Sequence, residues 1–313
     1  MNASVDAPVI QPSEKPSGAS LVSSHPKVVA AHRNGSLAMS LPGVVGIIAA
    51  PFYVWHFGLL VSDVVLFVVM YWLTLGVGLS VGYHRHFSHG AFRTHAPLRQ
   101  LMAVLGAMGG QGSLTYWVAI HRRHHEHSDE PGDPHSPHLS GDGLGGAVRG
   151  LWHGHYGWSL GYGMPNAMHY CPDIVRDPAL MAISRHARAW FVLGLVAPAI
   201  LGGLVNWSFA GAVGGLLFGG LVRLFVSSNA TWSLNSFCHW FGSRPHATRD
   251  HSTNNAWLAL PTLGESWHNN HHAFPSAAAH GYRWWQLDLN YAFIRLLELT
   301  GLAWKVKRPQ RSA

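Results

Sequence analysis

Ionised side chains are scarce in this sequence. Asp, Glu, Lys and Arg make up 11% of its 313 residues, where an average soluble domain carries roughly 25%. A globule of this size needs more charge than that to stay wetted on every side, which excludes an ordinary soluble domain. Cysteine is scarcer still: Cys171 and Cys238 are the two present, too few for a disulfide framework or a zinc ribbon, and both read as packed thiols. A solid basic patch is also missing. The formal net charge is +7, but the basic residues are interspersed with apolar runs, which argues against a nucleic-acid partner. Residues 1 to about 37 are rich in Ser, Pro, Ala and Val and lack a continuous apolar stretch. They do not read as a signal peptide. The expectation is a disordered cytoplasmic tail over 1–37 and one membrane domain over 38–313.

Long apolar runs are what the chain has in abundance. Leu41 to Leu60 and Val64 to Tyr83 contain no Asp, Glu, Lys or Arg, with Ser62-Asp63 as the turn between them. Trp190 to Val205 and Ala212 to Phe237 form a second pair, separated by Asn206-Trp207-Ser208. These lengths approach or exceed the roughly 20 residues that cross a bilayer as a helix. Arg223 sits inside the fourth run, and a charge at that depth marks a functional or buried, paired residue. Leu98 to Trp117 is apolar but studded with Gly, and is expected to lie in the interface or dip partway.

The cations take sides. Of 21 Lys and Arg residues, all but Arg223 fall in the N-terminal tail, in residues 85–188 or after 243. With four spans those regions share one face, and the positive-inside rule makes it cytoplasmic, with both termini there.

Nine of the 24 histidines form three tight clusters. They read H-R-H-F-S-H at 84–89, H-R-R-H-H at 121–125 and H-N-N-H-H at 268–272, with His127 close behind the second. Eight of these imidazoles repeat a pattern, H-x4-H once and H-x2-H-H twice. Positions i, i+3 and i+4 share a helix face, so each H-x2-H-H is expected to aim three nitrogens at one point. Neutral imidazoles suit zinc, copper, iron or nickel, and eight are too many for one ion, so two are expected. Structural zinc would want thiolates, and the H-E-x-x-H of zinc proteases is missing. Soluble di-iron bundles use Glu and E-x-x-H, but no carboxylates lie on these H-x2-H-H faces. Two irons held almost wholly by histidine at a membrane surface point to O₂ activation against a lipid-soluble C–H bond, where acid–base groups alone are useless.

The ordered motifs resemble those of the membrane fatty acyl desaturases, the stearoyl-CoA desaturase type and its bacterial relatives, from about residue 40 onward. Besides the three boxes they include W-V-A-I ahead of the second, D-P-H-S-P at 133–137, Y-G-W at 156–158, N-A-T-W-S-L-N-S-F-C-H-W-F-G at 229–242 and G-E-S-W-H-N-N-H-H-A-F-P at 264–275. The resemblance implies an all-α membrane protein of four transmembrane helices with a cytoplasmic histidine-rich helical cap holding a di-iron centre. It implies nine ligands, His84, His89, His121, His124, His125, His239, His268, His271 and His272, with Asn235 reaching a metal through water. His86 and His127 match no ligand position. Trp117, Trp232 and Asn229 match positions along the family's acyl tunnel, although the tryptophans could equally be interface-belt residues.

The implied reaction uses O₂ and two electrons to remove hydrogen from two neighbouring methylenes, leaving a cis double bond, of the delta-9 type in the nearest branch. No H-P-G-G segment of a fused cytochrome b5 and no dinucleotide motif after a strand is present. A ferredoxin or cytochrome b5-like donor with its reductase is therefore the expected partner, beside membrane lipids and the acyl substrate. Where animal acyl-CoA desaturases carry an Asp and an Arg before the second box, this chain has Val118-Ala119-Ile120. That leaves CoA, acyl carrier protein and glycerolipid open as carriers, with the missing Arg favouring lipid. Arg122, Arg123, Arg149 and Arg176 are candidate substitutes. A hydroxylase or acetylenase fits the same scaffold. A histidine-rich metal transporter would require ligands within the spans, and the clusters lie outside them.

Overall fold

The computed structural model describes residues 21–309. Four helices are long and apolar enough to cross a membrane: Pro26–Phe57, Val61–Ser88, Ala187–Asn206 and Phe209–His239. The expected pairs are present, but each span is longer than its uncharged core. Asp63 is not a turn residue. It lies in the first turn of the second span and accepts a hydrogen bond from the Leu60 amide at 3.0 Å, capping that helix. The tail boundary also moves. Residues 26–37, expected as disordered tail, are the first turns of the first helix, started by Pro26 and by the His25 side chain, which accepts from the Lys27 amide. The expectation for residues 1–20 lies outside the described residues.

Large apolar side chains such as Ile48, Phe52, Val65, Val68, Ile200 and Leu204 stand exposed along the spans. In water they would form an aggregating surface; in a bilayer they face acyl chains. The second and fourth spans are the more buried pair, and they carry site residues at their inner ends. Two antiparallel ladders of two residues each, Val22-Ser23 with Met164-Pro165 and Arg93-Thr94 with Ala303-Trp304, are the only strands among the described residues.

Leu98 to Trp117 is two elements instead of one dipping helix. Ala96–Met108 packs along the second span, and a break at residues 109–113 precedes a separate helix, Leu114–His127. The thirteen-residue first piece spans about 20 Å, too short to cross. Its contact is backbone on backbone: a methyl group at Gly78 would collide with the Gly106 amide, so small residues set that spacing.

Arg223 is fully buried and meets no carboxylate. Its Nε donates to the Gly219 carbonyl at 3.2 Å, Nη1 to Met108 at 3.2 Å and Nη2 to Gly194 at 3.0 Å. Met108 closes the Ala96–Met108 helix, and its carbonyl stands at the negative end of that helix's dipole. The guanidinium thus ties that helix to the third and fourth spans. Replacing Arg223 by Leu removes these three hydrogen bonds and should destabilise the detergent-solubilised protein by about 3 kcal/mol. An unchanged thermal midpoint would contradict the tie.

Candidate metal centre

The second span brings the first cluster to the site by a change of helix geometry. From Trp72 to Ser88 its backbone widens to i→i+5 hydrogen bonding. Residues five apart then fall close to one face, which accounts for H-x4-H. The rings of His84 and His89 lie 5.0 Å apart. Such widened turns occur mostly at functional sites. The second cluster rides on Leu114–His127 and the third on the short helix His268–Ala273.

All nine histidines named from sequence converge, in two groups. One comprises His84, His89, His121, His125 and His271, the other His124, His239, His268 and His272. Neither H-x2-H-H aims at a single point, which corrects the sequence expectation. Positions i and i+4 differ by only about 40° around a helix, whereas i+3 falls on the opposite flank of i. His121 and His125 therefore join one group and His124 the other, while His268 and His272 pair against His271. Each triplet contributes to both groups. His86 and His127 join neither: His86 Nδ1 faces the Phe92 carbonyl at 3.1 Å, and His127 lies beside Glu126.

Carboxylates are absent from the histidine faces, yet they are not absent from the site. They stand one layer out. His84 Nδ1 donates to Glu265 at 2.6 Å, His239 Nδ1 to Asp129 at 2.7 Å and His272 Nδ1 to Asp250 at 2.6 Å. His124 Nδ1 lies 3.0 Å from both oxygens of Asp133. An ionised carboxylate only accepts, so the proton sits on Nδ1 and Nε2 turns its lone pair inward. Glu265 is itself fixed by Arg85, fully buried, whose Nε and Nη2 donate to it at 2.9 and 2.8 Å while both Nη groups reach Asp288. The box arginine is a clamp on the clamp.

Sequence reasoning missed Arg85, Asp129, Asp133, Asp250 and Glu265. The available signal was chemical: a ligand histidine needs an acceptor for its second nitrogen, and a chain with 14 acidic residues offers few. It also missed His280, buried 4.5 Å from the His271 ring with Nδ1 3.2 Å from Glu265, and His135, whose ring lies 4.3 Å from that of His124 at a tilt of 36°. Neither belongs to a repeated spacing.

The donor set fits metal ions. Within each group the candidate atoms all lie within 4.8 Å of one another, and opposed ligands at about 2.1 Å from an ion stand about 4.2 Å apart. Nε2 of His84 and His271 approach to 3.1 Å, those of His89 and His121 to 2.8 Å and those of His268 and His272 to 3.1 Å. Converging lone pairs repel unless a cation lies between them. Nε2 of His124 and of His239 is buried and has no hydrogen-bond partner. Burial holds His89, His121, His125, His268 and His271 well below the ordinary imidazole range, reinforced by neighbouring imidazoles, and it pushes His272 down to about 4. Those rings are neutral and ligand-ready at neutral pH. For His124 burial is the largest single effect and acts downward, but Asp133, with Asp129 and Asp250 adding to it, raises the imidazole overall. Asp133 in turn resists burial because His124 holds it low.

A cavity of about 680 Å³ leads to the site, lined at its inner end by Trp117, His121 and Asn235, and farther out by Trp232. The Trp117 ring stacks on His121 at 5.0 Å and 20°. Asn229 is not among its lining residues; its side chain bonds His155 at 3.1 Å and the Phe225 carbonyl at 2.8 Å. Exposed Lys27, Arg185 and Arg188 line the outer end, none of which the sequence reading singled out. Val118, Ala119 and Ile120 are buried. Arg122 is spent on Asp173 and the Phe87, Ser88 and Tyr170 carbonyls, and Arg123 on the Tyr162 and Tyr170 hydroxyls.

If the outer carboxylates orient the ligands, Glu265→Gln and Asp133→Asn should each weaken metal binding about 10–100-fold. Titrating metal back into chelator-stripped protein measures this. Wild-type affinity in both variants would reduce the carboxylates to packing.

The sequence model of the fatty acid desaturase family matches residues 62–301. The chain is 49% identical over 267 residues to the hex-5-enoyl-[acyl-carrier protein] acetylenase of Moorena producens (strain JHB), covering 85% of this chain and 83% of that one. It is 34% identical to the sn-1 stearoyl-lipid 9-desaturase of Anabaena variabilis, over 76% of this chain and 82% of the relative. With acyl-CoA desaturase 1 of Saccharomyces cerevisiae it shares 33% identity over 84% of its own length and 51% of the yeast protein. The motifs, the four spans and these similarities together assign the chain to the fatty acid desaturase family.

Proposed function

We propose that this protein is an O₂-dependent fatty acyl desaturase of a bacterial cytoplasmic membrane, holding one iron in each histidine group. The observation that carries this reading is the meeting of two convergent imidazole groups, buried or half-buried, with one end of a cavity whose other end is cationic. Bound iron would supply, with O₂, two electrons and two protons, the oxidising capacity to turn –CH₂–CH₂– into –CH=CH– and two waters.

This chain's own residues would do the rest. The five-histidine group comprises His84, His89, His121, His125 and His271, and the four-histidine group His124, His239, His268 and His272. Glu265, Asp129, Asp133 and Asp250 keep the proton on Nδ1 of their partners, so that Nε2 stays a ligand. Trp117 and Trp232 wall the acyl path, restricting which carbons reach the metals. Asn235 lies at the inner end, where a side-chain amide can hold a water beside the metals.

Exposed Lys27, Arg185 and Arg188 shift the preferred carrier from lipid to acyl carrier protein. Their charge suits the phosphate of a phosphopantetheine arm and the acidic surface of such a carrier, and the M. producens relative is named for a substrate of that kind. Electrons come from a separate ferredoxin or cytochrome b5-like protein. The relative's name also supports a second reading, that two more hydrogens leave the same carbon pair to give an alkyne.

Iron-loaded protein with ferredoxin, reductase and O₂ should convert a saturated acyl group on acyl carrier protein to the cis alkene, with about two irons bound per chain and about one lost in His271→Ala. A single zinc in an active preparation would refute the di-iron reading. Phospholipid-linked chains turning over while thioesters do not would return the carrier to lipid.

Sixteen of the 21 basic residues lie outside the four spans, in sequence before 26, within 89–186 or after 239. Lys27, Arg33, Arg85 and Arg188 lie in the span ends that adjoin those regions, and the connections 58–60 and 207–208 carry none, which supports cytoplasmic termini and a cytoplasmic site. Both native cysteines are buried, so cysteines introduced by Ser140→Cys and Trp207→Cys report sidedness cleanly. They should label from opposite faces of the membrane, and labelling from the same face would defeat the four-span topology.

A further inference from the structure

The acyl path continues past Trp117. Four residues, Trp117, His121, Thr231 and Asn235, line both the large cavity and a second space beyond it. The first holds about 680 Å³ and the second only about 40 Å³. His84 and His268 join His121 in the wall of the small space, so the carbons that react lie at its entrance or within it. The rest of that wall includes Leu75, Leu79, Ala230 and Leu234. Leu75, Leu79 and Ala230 are 3%, 2% and 8% exposed, and side chains packed at interior density do not swing aside without opening a void. A water-sized group needs about 10–15 Å³ of such space, so about three methylene or methyl groups fit.

We infer that the acyl chain ends here, with no more than about three carbons beyond the bond from which hydrogen is removed. The methyl end, stopped by Leu75, Leu79 and Leu234, then sets the bond position. An 18-carbon chain opened between carbons 9 and 10 leaves eight carbons beyond the bond, which this space cannot hold. The inference rests on the desaturase reading for there being an acyl chain in the cavity at all.

The test supplies iron-loaded full-length protein in nanodiscs with saturated acyl groups of 6 to 18 carbons on acyl carrier protein, a ferredoxin donor and O₂. Tandem mass spectrometry locates the new bond. In wild type it should fall within about three carbons of the methyl end. Leu79→Ala and Leu234→Ala should lengthen the methyl-side remainder, and Ala230→Leu should shorten it. A 16- or 18-carbon product with six or more carbons beyond the bond overturns the inference and leaves the desaturase reading intact. An alcohol formed within three carbons of the methyl end does the reverse. Equilibrium binding of the same acyl series gives a readout independent of turnover. Affinity should rise about fourfold per added methylene and stop rising once the small space fills, with the plateau displaced to longer chains in Leu234→Ala. An unbroken rise to 18 carbons in wild type also overturns it.

Discussion

The imidazole–carboxylate bond is the interaction on which the rest of this structure depends. Nine imidazoles packed into two groups are unstable company. If protonated they repel as cations; if their tautomers are wrong they present N–H groups to a metal that needs lone pairs. Burial settles the first problem for His89, His121, His125, His268, His271 and His272 by disfavouring the charged form. Asp129, Asp133, Asp250 and Glu265 settle the second for four of the nine, one ring nitrogen each. Asp133 and Glu265 are almost wholly buried themselves and would be costly as lone anions. Each is stabilised by the hydrogens it receives, and Glu265 also by Arg85. The charges are paired inward before any metal arrives.

This arrangement explains why so charge-poor a chain spends its few acids where it does. A membrane protein needs little surface charge along its spans, and the residues that remain ionised can be concentrated at the helix ends. The two buried arginines divide the labour. Arg85 meets carboxylates and fixes the ligand shell, whereas Arg223 meets only carbonyls and fixes the spacing of the helices that support it. Both lie on the more buried pair of spans. The scaffold and the centre are therefore coupled through the second and fourth spans, and the second span's widened backbone is where the coupling is made.

Much of this was legible in the sequence. Apolar runs near bilayer length identified four spans, because nothing else needs that many consecutive apolar residues. Box spacing singled out eight of the histidines that converge, and the resemblance added His239. The rest was not legible, for stated reasons. Helix ends were misjudged because hydropathy marks the lipid-embedded core and is blind to polar extensions such as residues 26–37. The division of each H-x2-H-H between two groups follows from where three helices cross, which one helix's periodicity does not contain. Asp129 and His239 are 110 residues apart, and Glu265 and His84 are 181 apart; pairs of that separation leave no local pattern. The cations at the outer end of the cavity were hidden for the same reason, since Lys27 comes to line one cavity with Arg185 and Arg188, about 160 residues away in sequence, only in the folded chain.

On the proposed function, the two ends of the acyl path would impose different kinds of selection. At the outer end the recognition is electrostatic, from flexible side chains in water, and each such contact is weakened by screening and by side-chain entropy. At the inner end the recognition is steric, from leucines held in a packed core, where a single surplus methylene has nowhere to go. Charge at the entrance governs how readily a carrier is captured. Packed volume at the far end governs which carbons stop beside the metals. Because overpacking is penalised more sharply than a missing surface ion pair, the proposed path would let the methyl end of the chain control the position of the chemistry and leave the carrier end free to tolerate variation.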